Sequence, residues 1–233
     1  SVIGPGVVVG EGTIIEPHVV IKGPAHIGAR NHIFQFSSIG EATPDLKYKG
    51  ERTTVTIGND NVIREHVTIH RGTVQDRGDT YVGNNNLIMC YVHIGHDSIV
   101  KNHTILVNNT ALAGHVVVDD WVILSGYTLV HQFCKIGAHS FSGMGTAIGK
   151  DVPAYVTVSG SPAEARTINT EGLRRRGFSD ASLSDLRRAF KLIYRQGLTL
   201  DIAIERLEEM AADRPEITPL LESLKLSERG IVR

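Results

Sequence analysis

The amino-acid sequence predicts a mainly β protein: a parallel β-helix of short strands, followed by a C-terminal α-helical domain. An aliphatic residue recurs at every sixth position over residues 3–39 and again over residues 57–69. A second run, one residue out of phase, covers residues 82–136, misses at Ser142 and returns at Ile148. A period of six fits neither a helix of 3.6 residues per turn nor long alternating strands, but it fits short strands joined by tight turns.

Three such hexads close one coil of 18 residues, and we expect asparagine and glycine to supply the left-handed turns. The spacing does not fix the hand of the solenoid, since general chirality rules favour right-handed crossovers. We assign residues 1–160 to the β-helix and residues 161–233 to the helical domain. Because the chain opens in the middle of the repeat without a capping segment, we expect further N-terminal coils to precede residue 1.

Two segments interrupt the repeat. Residues 41–54 lose it but the period resumes in phase, whereas residues 75–81 shift it by one position. Both are predicted to be loops that leave the solenoid at a corner. Long loops on a rigid scaffold are common places for function, although insertions without a function are the alternative.

The helical domain is predicted to contain three helices. Ser179 is typical of an N-cap for a helix that stops at Gly197, and Thr199 is typical of the next N-cap. A third, short helix is expected after Pro215. The side chains predicted to face the core are Leu183, Leu186, Phe190, Ile193, Ile202, Leu207 and Met210.

Composition excludes several classes of protein. The 24 Lys+Arg residues balance 25 Asp+Glu, which argues against sequence-independent nucleic-acid binding. Two cysteines, Cys90 and Cys134, cannot form a disulfide framework or a four-cysteine zinc site. No segment resembles a signal peptide and no apolar run is long enough to span a bilayer, so we expect a cytoplasmic protein without a transmembrane segment.

A coil of 18 residues predicts which residues are neighbours in space, because residues 18 apart in the sequence stack along the solenoid. Two adjacent columns, with His93 and His131 beside them, carry polar groups: His96, Gly114 and Gln132 in one, Asp97, His115 and Phe133 in the other. A set of polar turn residues without function on a solvated corner is the alternative interpretation.

The chemistry of this cluster suits acyl transfer to an alcohol. A neutral His96 imidazole could take a proton from a hydroxyl, while Asp97 fixes its tautomer. The backbone N–H of Gly114 could donate to an oxyanion. Two other classes stay open: a zinc enzyme of the carbonic anhydrase type, which could recruit His66 and His70 beside His93 and His96, and a non-catalytic solenoid scaffold.

The helical domain adds a basic segment. Between residues 164 and 195 there are eight basic residues and four acidic ones, a local charge of +4. The run Arg174-Arg175-Arg176 could hold phosphates or an acidic protein. A solvated helix end explains such a run equally well.

Several motifs together resemble one family. In chain order they are PDLKYKGE, VTIHRGTVQ, HIGHDS, NNTALAGHV, LVHQFCKIGAHSFSG, DVPAYVTVSG and EGLRRRGFS. They are similar to the hexapeptide-repeat acyltransferases of lipid A biosynthesis that act on acyl carrier protein and UDP-N-acetylglucosamine. The resemblance implies a homotrimer of left-handed β-helices with active sites between subunits. It also implies that the sugar 3-hydroxyl attacks the thioester of an (R)-3-hydroxyacyl carrier protein in the first step of the pathway.

The resemblance implies a role for individual residues. His96 would be the general base, Asp97 its orienting partner and Gly114 the oxyanion N–H donor. Asp45 and Lys47 of the first loop would meet the acyl 3-hydroxyl and the substrate cleft. The residues implied to line the sugar and acyl channel are His93, His115, His131 and Gln132. Those implied to hold the nucleotide are Asn169, Glu171, Arg175 and Arg176.

The basic residues of the helical domain would receive the acidic carrier protein. No metal and no dissociable cofactor is implied, since the phosphopantetheine arrives on the carrier. Two positions depart from relatives. Pro162 stands where many have histidine, which puts one nucleotide contact in doubt. Met144 stands where some have glycine, and in the family this position acts as a ruler of acyl-chain length.

Overall fold

Twenty-four short strands and four α-helices make up the computed structural model, which describes residues 1–233. The strands of the first coils are β1 (Val2–Ile3), β2 (Val7–Val9), β3 (Ile14–Ile15), β4 (Val20–Ile21), β5 (Ala25–Ile27), β6 (His32–Ile33), β7 (Ser38–Glu41), β8 (Thr54–Ile57), β9 (Val62–Ile63), β10 (Thr68–His70), β11 (Asp79–Val82) and β12 (Leu87–Ile88). The later strands are β13 (His93–Ile94), β14 (Ile99–Val100), β15 (Ile105–Leu106), β16 (Ala111–Leu112), β17 (Val117–Val118), β18 (Ile123–Leu124), β19 (Leu129–Val130), β20 (Lys135–Ile136), β21 (Phe141–Ser142), β22 (Ala147–Ile148), β23 (Val156–Ser159) and β24 (Glu164–Ile168).

The strands form three sheets, in which every third strand of the chain is a neighbour as far as β22, while β23 pairs with β21 and β24. The first sheet runs from β1 through β13 to β22, the second from β2 to β20, and the third from β3 to β24. All ladders are parallel except β23–β24, which is antiparallel. The chain is therefore a left-handed parallel β-helix with helices at its C-terminus, as the sequence predicted.

The repeat determines what lies inside. From β4 onwards the second residue of nearly every two-residue strand is aliphatic and buried, as for Ile94, Leu112 and Val130, which pair in one ladder. Small residues such as Ser98 and Thr104 are fully buried at the corners, where a larger side chain would separate the coils. One apolar core of 47 buried residues continues from the coils into the helices.

The turns differ from the expectation of asparagine and glycine. Most of the left-handed turn positions carry other residues, several of them aromatic, for example Trp121 at φ 63° and Tyr127 at φ 59°. A left-handed residue other than glycine costs about 1–2 kcal/mol. Stacking between successive coils offsets this cost, since the His66 ring lies 5.0 Å from Phe36 and 4.6 Å from Tyr91.

Both interruptions leave the solenoid as loops, with boundaries slightly different from those predicted. The first loop spans residues 42–53, between β7 and β8. The second spans residues 71–78, because residues 79–81 already belong to β11. Residues 79–82 pair in register with residues 54–57, which draws them into the sheet.

The C-terminal helices are α1 (Thr170–Arg175), α2 (Asp180–Tyr194), α3 (Leu200–Ala211) and α4 (Thr218–Lys225), with a 3₁₀ turn at Pro215–Ile217 before α4. Ser179 and Thr199 cap α2 and α3 as predicted. The predicted burial of Ile202 is wrong, since 42% of it is exposed while Ala203 and Leu207, one turn apart, face inward. None of the helices is long and apolar enough to cross a membrane.

A buried carboxylate links the C-terminal segment to the last coil, in addition to the shared apolar core. Asp151 is 3% exposed and accepts hydrogen bonds from the Lys135 backbone N–H at 2.8 Å and from the Ser227 hydroxyl at 2.7 Å. The division at residue 160 falls between β23 and β24, and the helices begin at Thr170.

Close stacking makes particular glycines necessary, and this gives a first prediction. A Cβ on Gly58 would lie 2.6 Å from the Gly83 carbonyl oxygen, whereas a Cβ on Gly149 would meet nothing within 4 Å. We expect Gly58→Ala to lower the free energy of unfolding by about 1–3 kcal/mol through overpacking, and the matched Gly149→Ala to leave it nearly unchanged. Thermal unfolding followed by circular dichroism measures both, and equal midpoints for the two variants would contradict the prediction.

Candidate active site

A pocket of about 430 Å³ lies where the first loop folds over the corner between the first and second sheets. It is lined by Pro44, Asp45, Lys47, His70, His93, Gly95, His96, Gly114 and Gln132. We call this the His96 pocket. Seven residues named from the sequence therefore meet in one place: six that the resemblance assigns to the site, and His70, named as a possible zinc ligand. The 18-residue register explains why, since it stacks His96, Gly114 and Gln132 in successive coils.

His96 and Asp97 form a hydrogen-bonded pair at the turn after β13. His96 Nδ1 lies 2.8 Å from Asp97 Oδ2, and Asp97 is only 2% exposed. Burial alone would raise the pKa of Asp97. Hydrogen bonds from His96 and from Thr73 together lower it by more than burial raises it, so the pKa lies below its ordinary value. An ionised carboxylate only accepts, so we assign the proton to His96 Nδ1 and a free lone pair to Nε2.

The second loop supplies the other partners of this carboxylate. The Thr73 backbone N–H lies 2.9 and 3.0 Å from the two oxygens of Asp97, and the Thr73 hydroxyl donates to Oδ2 at 2.7 Å. The backbone N–H of Asp97 itself donates to Thr80 Oγ1 at 2.8 Å. The carboxylate is therefore fixed on all sides and cannot rotate away from the imidazole.

Gly114 lies against the other edge of the His96 ring. A Cβ at Gly114 would be 2.5 Å from His96 Nε2, so any side chain there would displace the ring. The backbone N–H of Gly114 donates no hydrogen bond within the chain. A proton acceptor and an unused N–H donor thus stand side by side, the pairing that attack of a hydroxyl on a carbonyl carbon requires.

His115 is held by a residue that the sequence reasoning did not select. Asp76 Oδ2, on the second loop, lies 2.7 Å from His115 Nδ1. The His115 ring packs edge-on to His96 at 4.9 Å and stacks on Phe133 at 4.4 Å. His115 therefore supports the His96 ring from behind rather than lining the His96 pocket.

Two further histidines of the pocket are neutral at pH 7. Burial, together with the neighbouring His70 and His96, lowers the pKa of His93 to about 4. Burial also lowers the pKa of His70. His93 Nδ1 lies 2.7 Å from the Thr68 hydroxyl, which fixes the orientation of its ring.

Other predicted site residues lie elsewhere on the protomer. His131 is exposed in a separate, mostly apolar depression with Leu129, Ala147 and Pro162. Met144 lies in the turn between β21 and β22, at a different corner from His96, and is 80% exposed.

The predicted nucleotide-binding residues lie at a third corner. Asn169 caps α1 and its amide donates to the His139 carbonyl oxygen at 2.9 Å. The Arg176 guanidinium lies 5.2 Å above the Trp121 ring and 3.2 Å from His139 Nδ1. The last members of the set, Glu171 and Arg175, pair with each other at 3.1 Å on the exposed face of α1. This corner and the His96 pocket do not meet within one protomer.

Of the four histidines considered for zinc, His70, His93 and His96 line the His96 pocket, whereas His66 does not. His66 is stacked between Phe36 and Tyr91, away from the His96 pocket. The ligand atoms of His96, Asp97 and His115 do lie within 4.8 Å of one another. Two of these three groups, however, are already hydrogen-bonded to each other. The sequence reasoning missed Thr73 and Asp76, for which the only signals were the motif VTIHRGTVQ, which contains Thr73, and the interruption at residues 75–81, which contains Asp76.

Known proteins resemble this chain over its whole length. A family model described as UDP N-acetylglucosamine O-acyltransferase, Domain 2, matches residues 151–232. The acyl-[acyl-carrier-protein]–UDP-N-acetylglucosamine O-acyltransferase of Stutzerimonas stutzeri is 67% identical over 100% of this chain and 90% of its own length. The protein of the same name from Pseudomonas putida is 70% identical over 87% of this chain and 79% of its own length.

Solved structures agree with these relatives. LpxA from Acinetobacter baumannii superposes with a TM-score of 0.98 at 52% identity, covering 99% of this chain and 90% of that one. The UDP-N-acetylglucosamine acyltransferase of Francisella novicida superposes with a TM-score of 0.96 at 46% identity, covering 97% and 83%. The likeness therefore includes both the coils and the C-terminal helices.

The bonds to Asp97 predict a pH-dependent loss of stability. Thr73→Val keeps the shape of the side chain and removes one donor, so we expect the free energy of unfolding at pH 7 to fall by about 1–2 kcal/mol. Because the folded-state pKa of Asp97 is depressed, its charge stabilises the fold above about pH 4, the ordinary carboxyl value, and this contribution is lost as the pH falls through the folded pKa. The difference in free energy of unfolding between Thr73→Val and the wild type should shrink over the same pH range. Urea denaturation across a pH series measures it, and a deficit independent of pH would contradict the prediction.

Proposed function

The chain belongs to the family of acyl-[acyl-carrier-protein]–UDP-N-acetylglucosamine O-acyltransferases, and we propose that it transfers an (R)-3-hydroxyacyl group from acyl carrier protein to the 3-hydroxyl of UDP-N-acetylglucosamine, the first step of lipid A biosynthesis. One observation carries the chemistry. His96 Nε2, free of its own partners, lies beside the unused N–H of Gly114 in a pocket entered by the first loop.

The reaction follows from these two groups. His96 Nε2 accepts the proton of the sugar hydroxyl while the hydroxyl oxygen attacks the thioester carbon. The carbonyl oxygen becomes an oxyanion and accepts a hydrogen bond from the Gly114 N–H. Collapse of the tetrahedral intermediate breaks the carbon–sulfur bond, and the imidazolium returns its proton to the departing thiolate. Asp97 stays ionised throughout and stabilises the transient positive charge on His96.

The first loop supplies charged groups at the mouth of the pocket. Asp45 and Lys47 both line it, and Asp45 is itself fixed because its Oδ1 accepts from the Lys47 backbone N–H at 2.9 Å. We assign Asp45 to the 3-hydroxyl of the acyl chain and Lys47 to the polar part of the cleft. His93 and Gln132 are assigned to the sugar and the acyl chain, on opposite sides of His96.

A second copy of the chain completes the site in this proposal. The segment with Asn169, Glu171, Arg175 and Arg176 lies at the corner of Trp121, and His131 faces an apolar depression open to solvent. The first of these, the nucleotide-binding segment, cannot reach a ligand in the His96 pocket of the same protomer. A homotrimer with active sites between subunits brings a nucleotide-binding corner of one subunit to the pocket of the next.

The carrier protein is assigned to the basic face of the helices. Arg187, Lys191 and Arg195 line one shallow depression on α2, a surface suited to an acidic partner. No dissociable cofactor or metal is assigned, and the phosphopantetheine is part of the carrier substrate. A cytoplasmic location is proposed as well, in keeping with two cysteines that are unpaired.

The general base gives a direct test. We expect His96→Ala to lower kcat by about 10²- to 10⁴-fold with the fold intact, and Asp97→Asn to lower it less. His26→Ala, which removes an exposed histidine on β5, is the matched control. Turnover of UDP-N-acetylglucosamine with acyl carrier protein is measured for each variant alongside circular dichroism. Near-normal activity of His96→Ala would refute the mechanism.

Met144 gives a test of acyl-chain length. The outward residues of the first sheet run in one row from His93 through Ala111 and Leu129 to Ala147, on the coil of Met144. This row becomes apolar away from the pocket, and each buried methylene contributes about 0.8 kcal/mol, so we expect a preference for acyl chains of roughly ten carbons that end at Met144.

Met144→Gly should then shift the preference towards longer chains without loss of stability, because the side chain is 80% exposed. The measurement is kcat/KM across carrier proteins with acyl chains of increasing length. An unchanged length profile in Met144→Gly would place the end of the chain elsewhere.

A further inference from the structure

His70 occupies the His96 pocket without a role in the scheme above. It is the last residue of β10, one coil away from β13 and on the side opposite Gly114. Its ring packs edge-on to His93 with the centroids 4.9 Å apart, and it lines the same pocket as Lys47 and His96.

The two ring nitrogens of His70 have different surroundings. Nδ1 is buried and has no hydrogen-bond partner. Nε2 also has no partner in the chain, but it is not buried, so it is the nitrogen that the ring presents to the pocket. A histidine whose only accessible nitrogen is unpaired and faces a ligand pocket is placed to meet a ligand atom.

The position of the proton follows from this asymmetry. Burial lowers the pKa of His70, with Glu41 opposing and His96 adding to the shift, so the ring carries one proton at pH 7. A proton on Nδ1 would be a buried donor without an acceptor, which folded proteins rarely tolerate. The neutral tautomer with the proton on Nε2 leaves only a lone pair unsatisfied. His70 is therefore a hydrogen-bond donor towards the pocket, whereas His96 is an acceptor.

We propose that His70 is a substrate-binding residue whose Nε2–H donates to an amide carbonyl oxygen of the ligand. This inference rests on the proposed acyl transfer. With the sugar hydroxyl at His96 and the acyl chain directed towards Met144, the space near His70 receives what lies on the other side of the reacting bond. Both substrates carry an amide there: the N-acetyl group of the sugar and the pantetheine arm of the carrier.

The test compares His70→Phe with His70→Gln. Phenylalanine keeps a planar ring without a donor, and we expect KM for one of the two substrates to rise about three- to tenfold, the loss of a single hydrogen bond. Glutamine retains a neutral N–H donor and should recover part of this loss. The Phe variant should also unfold at the same or a higher temperature than the wild type, since the unpaired buried nitrogen is removed. A purely structural histidine would show the reverse.

Separate measurements identify the amide. Calorimetric titration with UDP-N-acetylglucosamine, and with UDP-glucose, which lacks the N-acetyl group, reports on the sugar without turnover. If His70→Phe binds UDP-N-acetylglucosamine more weakly than the wild type does but binds UDP-glucose equally well, the partner of His70 is the N-acetyl group. If only the KM for the acyl carrier protein rises, the partner is the pantetheine arm. Unchanged affinity and KM for both substrates would overturn the inference. A wild-type enzyme that bound neither substrate would instead refute the proposed function.

Discussion

The constraint on which the rest of the structure depends is the stacking of successive coils in register. Backbone N–H groups of each coil donate to carbonyl oxygens of the next, as from Gly95 to Leu112 at 2.9 Å. Turn residues 18 apart in sequence are thereby superposed at close spacing. This spacing is why the Gly114 backbone lies against the His96 ring with no room for a Cβ. The pairing of a proton acceptor with an unused N–H is a direct consequence of the repeat.

A regular repeat gives every coil the same environment, so it does not by itself explain why a carboxylate is buried at one coil and not at the others. Every turn of the solenoid has nearly the same backbone, and its corners face solvent. The second loop breaks this equivalence, because Thr73 covers Asp97 with two donors and Asp76 binds His115. The first loop does the same on the other side of the pocket with Asp45 and Lys47. The scaffold thus positions the groups, and the insertions give one corner its particular chemistry.

The same division explains what the sequence could predict. Periodicity was sufficient to predict the coils and the column of His96 and Gly114, because residues 18 apart occupy equivalent positions in successive coils. His131 immediately precedes Gln132 of that column, and its side chain lies in a separate depression, because neighbouring residues point to different faces. The loops have no period, so Thr73 and Asp76 could not be placed. Aromatic left-handed turns were not expected either, because the compensating stacking exists only between coils.

The three histidines of the pocket have different functions because the Nδ1 atom of each has a different hydrogen-bond partner. In His96, Nδ1 is bonded to an ionised carboxylate, which leaves Nε2 as an acceptor. In His93, Nδ1 is bonded to the Thr68 hydroxyl and burial keeps the ring neutral. In His70, Nδ1 is buried without a partner. A proton on Nδ1 would be an unpaired buried donor, so the proton lies on Nε2. Three neighbouring imidazoles are thereby distinguished without any difference in their covalent structure. A base and a donor can then coexist in one pocket, because neither nitrogen that faces the ligand can take up the role of the other without an unpaired buried donor or a broken bond to Asp97.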